Sequence, residues 1–160
     1  MSEQPSPHMP SVAVVGAGSW ATAIVKILSE GPVKINWWMR SDEQTRFILE
    51  FARNPKYLSD IDLDLLKIVP THDIREAVQK SDLVILALPA AYVSEALQGL
   101  EPSDMADKMF FSAIKGMIPE TDQLVSSFLQ ERFRIPAEKI GIIAGPVSYT
   151  HLTLPTNREV

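Results

Sequence analysis

The chain has 160 residues, enough for one domain with a sizeable core, and its 46% hydrophobic and 22% charged residues are typical of globular proteins. A net charge of −5 argues against nucleic acid as the main partner, and the absence of cysteine excludes disulfides and thiolate metal sites. No metal site is expected from three scattered histidines, His8, His72 and His151. No apolar run approaches the ~20 residues of a membrane span, and the N-terminus lacks the apolar core of a signal peptide, so we expect a cytoplasmic protein.

The N-terminal part of the chain predicts a strand, a helix and a second strand. Residues 12–15 (VAVV) form a short β-branched run that is typical of a buried strand. Residues 19–29 then carry apolar side chains at helical spacing. Residues 33–39 alternate enough to predict a strand, with Trp37 and Trp38 on opposite faces of the sheet.

Strands and helices continue to alternate along the rest of the chain. Ser41 is the predicted N-cap of a helix to about Arg53, and Asp73 that of a helix to about Lys80. The other predicted elements are a short extended piece at 67–69, strands at 83–88, 109–114 and 140–144, and helices at 89–98 and 120–133. This alternation predicts an α/β fold, a Rossmann-like doubly wound parallel sheet with helices on both faces. Residues 1–10 hold three prolines and predict a disordered tail.

The turn after the first strand matches a dinucleotide-binding pattern. Gly16, Gly18 and Ala21 fit G-x-G-x-x-G/A, in which the first glycine permits a tight turn and the second lets the backbone approach a pyrophosphate. The small third residue lets helix and strand pack closely, and the amides of Ser19 and Trp20 would point from the helix N-terminus at the phosphate. The alternative is a purely structural turn in another α/β domain.

The end of the second predicted strand bears on which dinucleotide binds. Arg40 follows the second glycine by about twenty residues, where an acidic side chain would hold the ribose 2′-hydroxyl of NAD. A guanidinium there suits the 2′-phosphate of NADP, so NADP(H) is favoured. Asp42 stands two residues later and keeps NAD(H) open. Arg40 as a solvated charge at a strand end is the alternative.

Several motifs follow one another along the chain. Ser-Trp directly after the second glycine, in GAGSWATA, is unusual, and after it come WWMR, NPKYL (54–58), LALPA (86–90), SAIKGM (112–117) and AGP (144–146). Together they resemble the N-terminal domain of NAD(P)-dependent glycerol-3-phosphate dehydrogenases, whose signature is G-x-G-S-W-G/A-T-A. The resemblance covers roughly residues 11–146, the predicted NAD(P)-binding domain.

The resemblance implies reversible hydride transfer between dihydroxyacetone phosphate with NAD(P)H and sn-glycerol 3-phosphate, a precursor of glycerophospholipids. It implies that Ser19, Trp20 and Arg40 bind the dinucleotide, that Lys115 contacts both cofactor and substrate, and that Gly145 lines the substrate site. An ammonium group suits the anionic substrate and the oxygen on which charge develops. By composition alone, Lys115 would be an exposed lysine and Trp20 a core residue. Two roles are open for Tyr57: it packs its loop over the adenosine end of the cofactor, or it only anchors that loop. The full-length enzyme is expected as a homodimer.

The end of the chain departs from the family pattern at Val147. The general-base lysine is expected in a second, helical substrate domain after residue 146, so no catalytic residue is expected in these 160 residues and turnover should be negligible. A back-translation of Val147 through Thr156 resembles the mosaic-end adapter of transposon-based sequencing libraries. We therefore expect residues 147–160 to be a non-native tail, with a genuine divergent tail as the alternative.

Two other functions share the predicted fold. One is the cofactor domain of a 3-hydroxyacid or 6-phosphogluconate-type dehydrogenase, against which the Ser19-Trp20 pair argues. The other is a stand-alone dinucleotide-binding sensor. The gene sequence downstream of Pro146 would distinguish them.

Overall fold

Six parallel strands form the central sheet of residues 7–144, the part of the chain that the computed structural model describes. The strands are β1 (Ser11–Val15), β2 (Lys34–Trp38), β3 (Ile68–Thr71), β4 (Leu83–Leu86), β5 (Met109–Ser112) and β8 (Ile140–Ile142), and a separate hairpin holds β6 (Met117–Ile118) and β7 (Gln123–Leu124). Across the sheet their order is β3-β2-β1-β4-β5-β8. The chain builds outward from β1 on one side and then returns to the other, so the predicted doubly wound Rossmann-like fold is confirmed.

Helices cover both faces of the sheet. They are α1 (Ser19–Ser29), α2 (Asp42–Phe51), α3 (Ile74–Gln79), α4 (Val93–Ala96) and α5 (Val125–Phe133), with short 3-10 turns at Ala90–Tyr92, Pro102–Met105 and Ala137–Lys139. Buried side chains of α1 and α2 belong to one hydrophobic cluster, and those of α3, α4 and α5 to a second. Within residues 7–144 there is no helix long and apolar enough to cross a membrane.

The two faces are distinguished by alternate residues of the central strands. Val12 and Val14 of β1 lie in the cluster under α1 and α2, whereas Ala13 lies in the opposite cluster. Trp37 and Trp38 likewise belong to different clusters, which confirms the prediction that they face opposite sides. A one-residue slip of β2 would move Asn36 to the face that Ile35 occupies and away from its hydrogen bond to Ser81 Oγ at 2.8 Å, so these two side chains specify the register.

Two predicted helix caps are confirmed in detail. The Ser41 side chain accepts a hydrogen bond from the Gln44 backbone N–H at 3.2 Å, and the Asp73 side chain accepts one from Glu76 at 3.0 Å. Each satisfies a donor that the first turn of a helix leaves without an intrahelical partner. The helices α2 and α3 therefore begin where the sequence predicts.

The predicted helix at 120–133 is wrong over residues 120–124. Residues 117–124 instead form the hairpin β6–β7, and α5 begins only at Val125. The chain turns back because Asp122 takes a left-handed backbone (φ 51°), and because the fully buried Ile118 holds the hairpin against the core. The predicted helix at 89–98 is also interrupted, since a 3-10 turn precedes α4.

The predicted tails lie partly or wholly outside the described residues. Residues 7–10 of the expected N-terminal tail are exposed, and His8 Nε2 lies 2.9 Å from Asp82 Oδ2. Residues 1–6, Gly145 and the expected foreign tail at 147–160 are not among the residues that the structure describes.

Candidate functional site

The connection from β1 to α1 requires glycine at its first position. Gly16 has a φ of +127°, and a Cβ placed there would lie 2.1 Å from the carbonyl oxygen of Ala87. The Gly16 N–H donates to the Trp38 carbonyl at 3.0 Å, and the Gly16 carbonyl accepts from Trp37 Nε1 at 2.7 Å. Residues of β2 therefore hydrogen-bond both the N–H and the carbonyl of Gly16.

The N-terminus of α1 is open to an anion. Gly18 is its N-cap, no side chain caps it, and the first turn, Ser19–Thr22, has no acidic residue. Its first N–H groups have no intrahelical partner, and the helix dipole adds a positive potential there. A Cβ at Gly18 would meet no heavy atom within 4 Å in the described part of the chain. The space beside Gly18 thus fits a pyrophosphate bound to the amides of a helix N-terminus.

A network of buried polar side chains, centred on Asn54, packs against the turn between β1 and α1. Asn54 is fully buried, and its amide donates to Thr22 Oγ1 at 2.8 Å and to the Ala17 carbonyl at 3.3 Å. Its Oδ1 accepts from Gln44 Nε2 at 2.9 Å and from the backbone N–H of Lys56 at 3.0 Å. The Ala17 carbonyl of the turn, which also lies 3.4 Å from Gln44 Nε2, is thereby held against α2 and the loop that follows it.

A cleft of about 540 Å³ opens at the C-terminal edge of β1, β2 and β4. This is the point where the strand order reverses, and doubly wound sheets bind their ligands there. Two cationic side chains, Arg40 and Lys56, and one carboxylate, Glu95, lie in its wall. The other lining residues are Gly16, Ala17, Gly18, Trp38, Ser41, Gln44, Tyr57, Leu88, Pro89, Tyr92 and Ala96.

Arg40 spans the cleft from the end of β2. Its side chain is 65% exposed, its Nη1 lies 3.7 Å from Glu95 Oε2, and its guanidinium lies 5.3 Å from the centroid of the Tyr92 ring. Asp42 does not share this position. Its carboxylate forms an ion pair with Arg46 and lies 3.3 Å from His72 Nδ1, and it is not among the lining residues within 7–144.

The structure brings together only some of the predicted site residues. Gly16, Gly18 and Arg40 line the cleft. Ser19 is exposed at the first position of α1, Trp20 packs half-buried against the cluster under α1, and Ala21 is fully buried. Lys115 is exposed beyond the end of β5, and neither it, Ser19, Trp20 nor Ala21 lines the cleft formed by residues 7–144. Gly145 lies outside the described residues.

The sequence did not predict that Asn54, Lys56 and Glu95, from separate elements, lie at the glycine turn and the cleft. Asn54 and Lys56 stand in a quoted motif, but no pattern links Asn54 to Gln44 or Thr22. Glu95 lies on a four-residue helix too short to show a face by periodicity. Within 7–144, no three His, Asp or Glu side chains are placed to hold a metal ion.

The doubly wound sheet, the glycine turn with its open helix N-terminus and the cleft at the reversal of strand order define a dinucleotide-binding domain. Residues 11–150 match the family described as NAD-dependent glycerol-3-phosphate dehydrogenase N-terminus. The chain therefore belongs to this family of oxidoreductase cofactor domains.

Individual proteins similar to this chain are also named glycerol-3-phosphate dehydrogenases. The glycerol-3-phosphate dehydrogenase [NAD(P)+] of Ectopseudomonas mendocina is 36% identical over 135 residues, which are 84% of this chain and 38% of that protein. Among solved structures, the Coxiella burnetii glycerol-3-phosphate dehydrogenase shares the fold with a TM-score of 0.72 at 15% identity, covering 84% of this chain and 40% of that one. The Saccharomyces cerevisiae enzyme has a TM-score of 0.64 at 25% identity, covering 86% and 41%. The chain thus spans about two-fifths of the length of these proteins.

Proposed function

We propose that this chain binds NADP(H), and also NAD(H), as the cofactor domain of a glycerol-3-phosphate dehydrogenase. In the whole protein it would serve the reversible transfer of hydride between NAD(P)H with dihydroxyacetone phosphate and sn-glycerol 3-phosphate. The membership of the chain in this family and the names of its relatives support this reaction. The nicotinamide would carry the hydride, whereas the chain's own residues bind and orient the dinucleotide.

One observation carries the binding proposal. The open N-terminus of α1 at Gly18 and the guanidinium of Arg40 face the same cleft. A dinucleotide has two negatively charged groups to place when it carries a 2′-phosphate, and the cleft offers one positive site for each. In this proposal the pyrophosphate lies at Gly18 and the adenosine ribose lies beside Arg40.

We propose that the substrate binds beside Lys115. Lys115 is exposed beyond the C-terminal end of β5, and Gly116 after it has a φ of +83°. The resemblance gives Lys115 a place between cofactor and substrate, where its ammonium would attract a small phosphorylated triose. Gly145 would line the same site. The whole protein would act in the cytoplasm as a homodimer and supply glycerol 3-phosphate for glycerophospholipid synthesis.

The binding proposal is tested by titrating NADPH and NADH calorimetrically into the chain and its Arg40→Ala variant. A charge-assisted contact to phosphate is worth roughly 1.5–3 kcal/mol, so the NADPH dissociation constant should rise about tenfold or more. The NADH dissociation constant should change less than about threefold, because NADH has no 2′-phosphate. The matched control is Arg53→Ala, which removes an exposed arginine that pairs with Asp62 outside the cleft. Equal losses for both dinucleotides would contradict the assignment of Arg40.

A further inference from the structure

Glu95 places a negative charge in a cleft that is otherwise suited to a polyanion. Its carboxylate is 61% exposed and lines the same wall as Arg40. The fully buried Val93 and the mostly buried Ala96 on either side anchor α4 to the core. Glu95 is therefore presented to the cleft by a fixed helix rather than by a flexible loop.

Arg40 has two neighbours in the wall of the cleft. Its Nη1 lies 3.7 Å from Glu95 Oε2, and its guanidinium lies over the Tyr92 ring. A 2′-phosphate that binds Arg40 must replace the Glu95 carboxylate or share the guanidinium with it. A phosphate bound to the same guanidinium would lie near the Glu95 carboxylate, and these two negatively charged groups would repel each other.

The same carboxylate favours the unphosphorylated cofactor. A ribose hydroxyl can donate a hydrogen bond to a carboxylate, which is the task of the acidic residue that doubly wound NAD-binding domains place after β2. Asp42 follows β2 here, but its carboxylate pairs with Arg46, and it is not among the residues that line the cleft in the described part of the chain. Glu95 reaches the cleft from α4 and offers the acceptor that the end of β2 lacks.

We propose that Glu95 is a specificity-determining residue that opposes Arg40, so that the cleft accepts both NAD(H) and NADP(H). This inference rests on the proposed dinucleotide function. Arg40 raises the affinity for a 2′-phosphate, and Glu95 lowers it while it accepts the ribose hydroxyls of NAD(H). The ratio of the two affinities then follows from the balance of these two side chains.

The test is the Glu95→Gln variant of the full 160-residue chain, titrated calorimetrically with NADPH and with NADH. The NADPH dissociation constant should fall roughly three- to tenfold, from the repulsion of partly screened charges. The NADH dissociation constant should rise, because a neutral amide is a weaker acceptor for the ribose hydroxyls than a carboxylate. A role in folding alone would weaken both, so the opposite direction of the two changes distinguishes specificity from structure.

Control variants separate the outcomes. Glu50→Gln makes the same chemical change on the exposed surface of α2 and should leave both dissociation constants unchanged. If Arg40→Ala weakens NADPH binding but Glu95→Gln leaves the NADPH-to-NADH ratio unchanged, this inference is wrong and the proposed function stands. If Glu95→Gln behaves like Glu50→Gln or weakens both dinucleotides, the inference is also overturned. If the unaltered chain binds neither dinucleotide, both proposals fail.

Discussion

Gly16→Ala and Gly18→Ala should separate folding from ligand binding within one turn. At Gly16 the φ of +127° imposes a strain of about 1–3 kcal/mol on any L side chain. The new Cβ would also lie 2.1 Å from the Ala87 carbonyl oxygen, which is backbone and cannot rotate away. Forcing β1 and β4 apart adds roughly 1–3 kcal/mol, so we expect a total loss of about 2–6 kcal/mol out of a typical 5–15.

Gly18→Ala should behave in the opposite way. Its backbone (φ −77°, ψ −173°) suits any residue, and its Cβ would meet no heavy atom of residues 7–144 within 4 Å. Alanine is a clearly worse N-cap than glycine, by roughly 0.5–1.5 kcal/mol, but it lowers the entropy of the unfolded chain by the equivalent of about 0.4–1 kcal/mol, so the net loss of stability should be less than about 1 kcal/mol. The methyl group would occupy the space proposed for the pyrophosphate, and NADPH binding should be lost.

Urea unfolding followed by circular dichroism gives the two stabilities, and calorimetry gives the binding. The reasoning about Gly16 is refuted if Gly16→Ala unfolds at the same urea concentration as the unaltered chain. The placement of the pyrophosphate is refuted if Gly18→Ala folds normally and binds NADPH with unchanged affinity.

Three further changes test the contacts around the site and in the fold. Asn54→Ala removes the partner of buried amides and should lower the free energy of unfolding in urea by about 2–3 kcal/mol; a loss below about 0.5 kcal/mol would show that water replaces the side chain. Trp37→Phe leaves the Gly16 carbonyl without its indole donor and should lose roughly 1–3 kcal/mol, more than Trp38→Phe, whose Nε1 donates to the carbonyl of an exposed residue, His72. The Glu101 backbone N–H holds the pKa of Asp104 below its ordinary value, although burial acts in the opposite direction. The stability that Asp104 contributes is therefore present above the ordinary carboxyl pKa of about 4 and is lost as the pH falls through the lowered value. In urea unfolding, the difference between Asp104→Asn and the unaltered chain should shrink below pH ~4; a difference that stays constant would contradict this.

Local patterns predicted the first half of the fold well. The glycine turn, α1 and the cap of α2 follow from short-range signals that act within one or two helical turns. Trp37 and Trp38 were assigned to opposite faces because the period of a strand is two. These elements needed no knowledge of what packs against them.

Long-range packing decided the features that the sequence did not predict. Residues 117–124 form a hairpin because Ile118 is buried against elements distant in the chain, and this overrides a weak helical pattern. The contacts of Asn54 with Thr22 and of Arg40 with Glu95 join residues far apart in sequence, and no spacing rule connects them. The family resemblance suggested Trp20 and Lys115, and the described cleft does not include either.

The cleft has a buried support below the glycine turn and exposed charged side chains at its rim. Substitutions in these two parts should have different consequences for stability. Substitutions at Asn54 or Gly16 disturb hydrogen bonds or backbone contacts in the interior. Arg40 and Glu95 project into solvent, where most substitutions alter stability by less than about 0.5 kcal/mol. If the dinucleotide binds as proposed, its 2′-position is read by side chains that can change at little cost in stability, whereas the turn that holds its pyrophosphate cannot change without disturbing the interior.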